Sequence, residues 1–527
     1  MLKKIWLKLN NTTIGGAIII AFFSVLSKIV GLLRERLLAV HFAGNQIDIL
    51  DSYYAAFKLP DIVFNTLVLG ALSSAFVPVF VRYLHRNKTE AFRIANSLLN
   101  ILLVVIFILT IIGIIAADKI VPLLVPGFDP AKTILTVRLT RIMFVAVIFF
   151  TISNVLSGLL NSFRKFFTFS LAPIFYNLGI IIGIIFLTDW LGVDGLAWGV
   201  VLGSILHLLI QLPEVVATGW RWQPLFAWRD KGVRKIFKLM LPRTFGLAVN
   251  QINQLVIVII ASTLASGSIA YFNLANNLQS FPISVFGVSI ALACFPVFSR
   301  ALADKNTSQF QESFSLNFRR ILYLIVPTSV LLLLLRAQIV RLILGSGSFT
   351  WRDTIQTAQT LGFFALSLFA QSLLPLITRS FYALEDTKTP VLVSLGSVII
   401  NIFLAITLGQ KIGIFGVALA YSIASIINMV VLLIILRLRV GYLDDEKLAG
   451  AAIRIGLLSI FMGLTAYLIM RIVAPLVNMR TFIGILIQTT TTIIISGGLY
   501  LWLSFLFNFP EVQIIKNYLA KYIKIFK

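Results

Sequence analysis

The sequence predicts an all-α polytopic membrane protein, and three observations carry that prediction. First, 59% of the 527 residues are hydrophobic and only 12% are charged, with a mean hydropathy of +0.98. Soluble domains hold roughly 45–50% apolar residues, so the excess here has no aqueous interior to hide in. Second, apolar runs long enough to cross a bilayer, about 20 residues each, recur from end to end. Third, the net charge of +24 is scattered through short connections between those runs. That is the pattern of the positive-inside rule. It is not a basic stripe, so no nucleic-acid partner is expected. The 33 Gly and 16 Pro suit spanning helices, where small residues permit close packing and kinks are tolerated.

About fourteen segments qualify as transmembrane helices: 14–42, 52–82, 92–117, 134–162, 168–188, 195–218, 238–264, 268–300, 316–343, 354–383, 390–409, 414–437, 450–474 and 481–508. Several reach about thirty residues, which predicts tilt, kinks or extension beyond the bilayer. Basic residues cluster after the second segment (Arg82, Arg86, Lys88), after the fourth (Arg164, Lys165), around the start of the seventh (Arg221, Arg229, Lys231, Arg234, Lys235, Lys238), after the eighth (Arg300, Lys305, Arg319, Arg320) and after the twelfth (Arg437, Arg439). The opposite connections, Gly44–Asp51, Asp189–Asp194 and Ala265–Gly267, carry none, while Arg341 and Arg352 run against the trend. The balance and the even count predict a multi-pass protein with both termini in the cytoplasm. The N-terminal MLKKIWLKLNNTT shows no small-residue cleavage site and reads as a cytoplasmic lead-in. Trp220–Arg234 mixes Trp with Arg and reads as interfacial. The tail Glu511–Lys527 sets Ile and Leu at helical spacing against Lys516, Lys521, Lys524 and Lys527, which predicts a surface helix held by anionic membrane lipids.

The chain repeats itself. Pro78-Val79-Phe80-Val81-Arg82 ends the second segment and Pro296-Val297-Phe298-Ser299-Arg300 the eighth, an offset of 296 − 78 = 218. Tyr53 faces Tyr271 and Ala75 faces Ala293 at the same offset, and Ser162-Phe163 faces Ser380-Phe381. Gly192-x-x-Gly195-x-Ala197 faces Gly413-x-x-Gly416-x-Ala418 at 413 − 192 = 221. The order predicts two parallel six-helix repeats around a central cavity, as in transporters. They are an N-terminal half at 1–220 and a C-terminal half at 221–440. An additional two-helix pair at 441–510 and a basic interfacial tail at 511–527 complete the chain.

Charge within these apolar surroundings is concentrated in Ser27–Arg82, which holds Lys28, Arg34, Glu35, Arg36, Asp51, Lys58 and Asp61. A charge at bilayer depth costs roughly 2.5–3.5 kcal/mol by insertion scales, so it normally faces a cavity. The alternative is a side chain at a helix end that snorkels to the headgroups. The matching part of the C-terminal half offers amides instead, among them Asn253, Asn276 and Asn277. Amides in spanning helices commonly act as interhelical glue, and some of these are also candidates for a cavity wall. The candidate substrate-binding residues are therefore Lys28, Arg34, Asp51, Lys58, Asn253, Asn276 and Asn277. Because an arginine fork binds phosphate bidentately, a wall of cations opposite a wall of amides suits a phosphate-bearing amphiphile with a sugar or peptide headgroup.

No Walker loop, HExxH, GxSxG or close carboxylate pair within one apolar helix is present, so an enzyme is not expected. The single Cys294 and the three histidines at 41, 85 and 207 form no ligand set, and no metal or cofactor is predicted.

Several motifs carry a family resemblance: Ser27-Lys28-x-x-Gly31-x-x-Arg34-Glu35, Asp51-Ser52-Tyr53-Tyr54-Ala55-Ala56-Phe57-Lys58-Leu59-Pro60, Gly70-Ala71-x-Ser73-x-Ala75-Phe76-Val77-Pro78, Leu264-Ala265-Ser266-Gly267-Ser268 and Asp386-Thr387-x-Thr389-Pro390. With them the chain resembles, over its whole length, the MurJ (MviN) lipid II flippase family of the multidrug/oligosaccharidyl-lipid/polysaccharide exporter superfamily. The resemblance implies a bacterial cell-membrane flippase that moves lipid II, an undecaprenyl-diphosphate-linked muropeptide, to the outer leaflet by alternating access for peptidoglycan synthesis. It implies that Arg34 matches a cavity arginine and Asp51 an important aspartate of the family, with Lys28 where arginine is usual. This chain departs from the family at Phe64-Asn65, Val68-Leu69-Gly70, Ile257, Ala275-Asn276-Asn277 and Ser280, where charged residues are usual. Two other readings stay open: a flippase for another undecaprenyl-diphosphate-linked glycan, and a non-transporting scaffold whose partners are cell-wall synthesis enzymes.

Overall fold

The computed structural model describes residues 13–68 and 75–512. Residues 1–12 of the basic lead-in and 513–527 of the basic tail, with their predicted roles, lie outside the described residues. Within them every regular element is a helix. Among the described residues, ten helices are long and apolar enough to cross a membrane, or eleven when the bent pair Trp351–Ala365 and Leu368–Ala383 is one span. The first and seventh predicted segments each fall on one long helix, Thr13–Phe42 and Lys231–Ser262, and the second is broken into shorter pieces.

The chain divides into two compact units, residues 1–270 with 347–349, and residues 271–346 with 350–527. The first unit contains α1 (Thr13–Phe42), α2 (Ile47–Ala56), α3 (Lys58–Val63), α4 (Val77–Leu84), α5 (Lys88–Leu124), α6 (Pro130–Ser162), α7 (Phe166–Ile182), α8 (Thr188–Leu191), α9 (Asp194–Leu209), α10 (Leu212–Ala217) and α11 (Lys231–Ser262). The unit boundary falls inside α12 (Ser268–Pro282). The second unit continues with α13 (Ser289–Ala303), α14 (Thr307–Leu334), α15 (Arg336–Leu344), α16 (Trp351–Ala365), α17 (Leu368–Ala383), α18 (Lys388–Ile412), α19 (Ile414–Val440), α20 (Asp445–Val473) and α21 (Phe482–Leu506).

In the first unit the main core gathers Phe76 and Phe80, Leu98, Leu99 and Ile106 of α5, Leu156, Leu159 and Leu160 of α6, and Val233 and Ile236 of α11. A smaller cluster, Ile19 and Phe23 against Ile174, seats α1 on α7. α7 and α9 approach at backbone distance. A Cβ on Gly179 would lie 2.3 Å from the Cα of Gly203, and one on Gly183, which opens the π-helical stretch Gly183–Leu187 following α7, 2.4 Å from that of Gly199. This is small-xxx-small packing, which gains dispersion contact where lipid offers no hydrophobic drive. In the second unit α20 and α21 pack on each other and α20 on α14, and Tyr500 of α21 donates its hydroxyl to the carbonyl of Tyr323 on α14 at 3.0 Å.

The second predicted segment, 52–82, is not one helix. It is interrupted at Phe57, resumes as α3, and passes into a π-helical stretch at Phe64–Val68. Pro60 lies in the first turn of α3, where its missing N–H is tolerated. Segment eight behaves alike: α12 ends at Pro282 and a π-helical stretch follows at Ile283–Val288. Segment ten bends by 48° between α16 and α17.

Backbone devices recur within one residue of the sequence offsets of 218 and 221. The two π stretches begin 283 − 64 = 219 residues apart. Asn87 caps α5 and Asn306 caps α14, 306 − 87 = 219. Asp129 caps α6 and Thr350 caps α16, 350 − 129 = 221. Positive φ recurs at Arg164 and Glu385, at Gly192 and Gly413, and at Gly219 and Gly441, each pair 221 or 222 residues apart. Gly192 and Gly413 share almost one conformation, φ 58° ψ −143° and φ 66° ψ −146°, which only glycine adopts without strain.

Candidate functional site

α1 carries its charges in its second half. Arg34 forms an ion pair with the adjacent Glu35, whose side chain is buried while that of Arg34 keeps 20% exposure. The Tyr54 hydroxyl of α2 donates to the other Glu35 oxygen, tying the two helices together. Two groups beside this pair remain uncommitted: the Nε of Arg34 and the hydroxyl of Tyr53 are buried with no hydrogen-bond partner. Arg34 also interacts electrostatically with Tyr53 and with Tyr176 on α7. Lys58 and Asp61 of α3, both half-buried, interact with each other, and Asp61 is felt by both Tyr53 and Tyr176. Lys28 is exposed and within electrostatic reach of Arg34. One polar cluster thus unites Lys28, Arg34 and Lys58 with Glu35, Asp61 and three tyrosines. Its arginine keeps one fork donor free, which is the chemistry that accepts an anionic oxygen.

Asp51 belongs to a second cluster. It is buried, and its carboxylate pairs with Lys132 of α6 at 2.7 Å. The same carboxylate accepts the backbone N–H of Gly267 at 2.7 Å and of Ala270 at 2.8 Å. Lys132 also pairs with Asp48, and its ammonium lies 4.1 Å from the centre of the Phe128 ring. Ser266 donates to Asp48 at 2.6 Å. Burial works against the Asp48 charge, but the bonds from Lys132 and Ser266 outweigh it and hold this carboxyl below its ordinary range. A buried carboxylate with a cation and two amides is fully occupied, so Asp51 knits the 265–270 connection to α2 and α6.

The amides lie elsewhere. Asn253 is a buried residue of α11. In the second unit Asn276 accepts from Gln279 at 3.0 Å, and Gln279 in turn accepts from Gln371 of α17 at 3.1 Å. Asn277 accepts the Ser280 hydroxyl through its carbonyl at 2.8 Å. Asn276 is therefore one link of a polar chain between α12 and α17.

Sequence reasoning overlooked Lys132 and Tyr176. Asp129 caps α6 and Pro130 opens it, which places Lys132 in the first turn of that helix. Its role depends on Asp48 and Asp51, more than eighty residues earlier.

The family described as "Lipid II flippase MurJ" matches residues 44–487, which is 487 − 44 + 1 = 444 of 527 residues. The chain belongs to the MurJ lipid II flippase family. Among its relatives, the lipid II flippase MurJ of Burkholderia cenocepacia is 28% identical over 447 residues, spanning 82% of this chain and 86% of that one. The probable lipid II flippase MurJ of Vibrio cholerae is 30% identical over 432 residues, spanning 79% and 81%. A solved structure, a lipid II flippase MurJ in an inward closed conformation, superposes with a TM-score of 0.78 at 28% identity over 93% of this chain and 98% of that one. An inward-facing multidrug transporter of the MOP superfamily shares the fold at a TM-score of 0.66 and 16% identity, over 81% and 99%. A MurJ-family chain is a transporter and not an enzyme, and its apolar helices make it a multi-pass inner-membrane protein. The family match begins ten residues after Arg34, 44 − 34 = 10, so the arginine cluster of α1 stands on its own geometry.

Proposed function

We propose that this chain flips lipid II from the cytoplasmic to the outer leaflet by alternating access, for peptidoglycan synthesis. The family match over residues 44–487 carries the reading. The Arg34 cluster agrees with it, because a guanidinium that engages Glu35 through one nitrogen and keeps a buried Nε unbonded, beside an uncommitted tyrosine hydroxyl, is suited to a diphosphate. Lys28, Arg34 and Lys58 are the direct contacts in this reading. Asp51 acts through Lys132, and Asn253, Asn276 and Asn277 are the amides it assigns to the headgroup. The repeated caps and π stretches support two halves at 1–220 and 221–440, followed by the pair at 441–510 and the tail at 511–527. The charge balance of the connections supports cytoplasmic termini.

Complementation tests the proposal. In a strain depleted of its own flippase, the wild-type chain should restore growth and clear lipid II from the inner leaflet, and Arg34→Ala should do neither. Full rescue by Arg34→Ala, at equal abundance in the membrane, would remove Arg34 from the mechanism. Failure of the wild-type chain to clear lipid II would sink the flippase reading itself.

A further inference from the structure

The first unit holds a cavity beside the clusters described above. It has a volume of about 550 Å³ and lies where α5 ends and α6 begins, with Asp118, Pro122, Phe128, Ile134, Arg138 and Arg141 in its lining. The size is that of a small-molecule site, roughly 300–1,000 Å³. Arg138 and Arg141 stand three residues apart on α6, 141 − 138 = 3, so one helix face brings both to the same space. Phe128 lines the cavity and also carries the Lys132 ammonium, so the cavity adjoins the Asp51 cluster without including it.

Each arginine is held by one carboxylate and keeps donors to spare. Arg138 pairs through Nε with Asp194 at 2.7 Å, and among the described residues its two Nη groups make no bond. Arg141 donates from Nε to the Ile114 carbonyl at 3.0 Å and from Nη2 to Asp118, which leaves Nη1. Asp118 brings the opposite charge to the same lining, and its side chain is 63% exposed. Its backbone carbonyl also lacks the usual helical donor, because residue 122, four positions on, is a proline with no N–H.

Position narrows the ligand. α5 has 37 residues, about 55 Å of helix, and outruns a hydrocarbon core of about 30 Å. Asp118 directly follows the apolar run 92–117, which puts the cavity at headgroup level. Leu123 and Ile134 are 74% and 67% exposed, and in a spanning bundle such apolar side chains meet lipid. The occupant is therefore an amphiphile with a charged head. Arginine donors take phosphate oxygens, and an exposed carboxylate beside them takes an ammonium.

We propose that this cavity binds the headgroup of an aminophospholipid, with the phosphate on Arg138 and Arg141 and the primary ammonium on Asp118. A phosphatidylglycerol head would leave Asp118 unanswered, and the quaternary ammonium of phosphatidylcholine has no N–H to give it. The site needs neither Arg34 nor the flippase reading.

The test uses the full chain in nanodiscs of equal parts phosphatidylethanolamine, phosphatidylglycerol and phosphatidylcholine, with retained lipid counted by native mass spectrometry. The wild type should retain phosphatidylethanolamine preferentially, and R138Q/R141Q about tenfold less of it. D118N should keep the phosphate contacts and lose the preference for phosphatidylethanolamine over phosphatidylglycerol. Ile134→Trp, which fills the cavity and touches no charge, should also displace the lipid. Equal retention by R138Q/R141Q and the wild type overturns the proposal, and so does an unchanged preference in D118N. Wild-type retention of the three lipids in equal measure overturns it as well. So does displacement of the retained phosphatidylethanolamine by added lipid II, since the cavity would then serve the transported lipid. Should the double glutamine variant not fold, Ile134→Trp carries the same comparison.

Discussion

At the scale of single residues, Lys132 and Arg34 make opposite demands on their surroundings. Lys132 is 8% exposed and answered on every side by Asp48, Asp51 and the Phe128 ring. Removing it leaves Asp51 buried and uncompensated, which typically costs about 3–5 kcal/mol. Lys132→Ala is therefore expected to lower the thermal unfolding midpoint in detergent by many degrees, and pairing it with Asp51→Leu should recover much of the loss. If Lys132→Ala melts with the wild type, the cluster is not structural. Arg34 keeps a donor free, so its expected phenotype is functional. Arg34→Lys preserves charge but removes Nε, and lipid II clearance should fall while the melting midpoint stays within a few degrees. The sequence showed that Arg34 was unusual, because a charge twenty residues into an apolar run stands out unaided. It could not show that Asp51 was already engaged, since its partners lie at 132, 267 and 270. The unit-two counterpart of Lys132, at 353 − 132 = 221, is Asp353, which accepts the Tyr271 hydroxyl at 2.6 Å. The same place in the repeat holds the opposite charge, and no pattern of hydropathy distinguishes the two.

At the scale of elements, the spans were legible because each is a run of apolar residues, and their interruptions were not. The break between α2 and α3, the bend of 48° between α16 and α17 and the two π stretches leave hydropathy unchanged. Only Pro60 and Pro282 mark their places in the sequence. The α7–α9 seam was equally hidden, although its glycines at 179, 183, 195, 199 and 203 sit four residues apart within each helix. Any side chain at Gly183 would meet backbone of α9 at 2.4 Å, and backbone cannot turn aside as a side chain can. Gly183→Leu is expected to destabilise by about 1–3 kcal/mol or more through overpacking. A thermal melt compared with Gly396→Leu, where an added Cβ meets nothing within 4 Å, checks this. Equal melting of the two variants would show that the seam yields.

At the scale of the whole molecule, the class and the repeat were readable from composition and from a few repeated words such as Pro-Val-Phe. Their spatial counterpart is the recurrence of caps and positive-φ residues at the same offsets. The compact units divide at residue 270, whereas the repeat divides near 220. The sequence could not foresee this, because compactness is set by contacts such as those of α11 with α4 and α5 and not by ancestry. A fluorescent protein fused after Lys527 is expected to fluoresce and a periplasm-dependent phosphatase at the same point to be inactive. The reverse pair of results would invert the topology.

The π stretches have one more consequence, and it concerns chain length. Such a turn accommodates one residue beyond an α-turn while the helix on either side stays regular. Phe64–Val68 has five residues and Ile283–Val288 six. Each is a place where a residue could be removed and the backbone would relax to an ordinary turn, leaving the flanking pieces in register with their neighbours. A deletion within an ordinary α-helical turn would instead rotate the helix beyond it by about 100°.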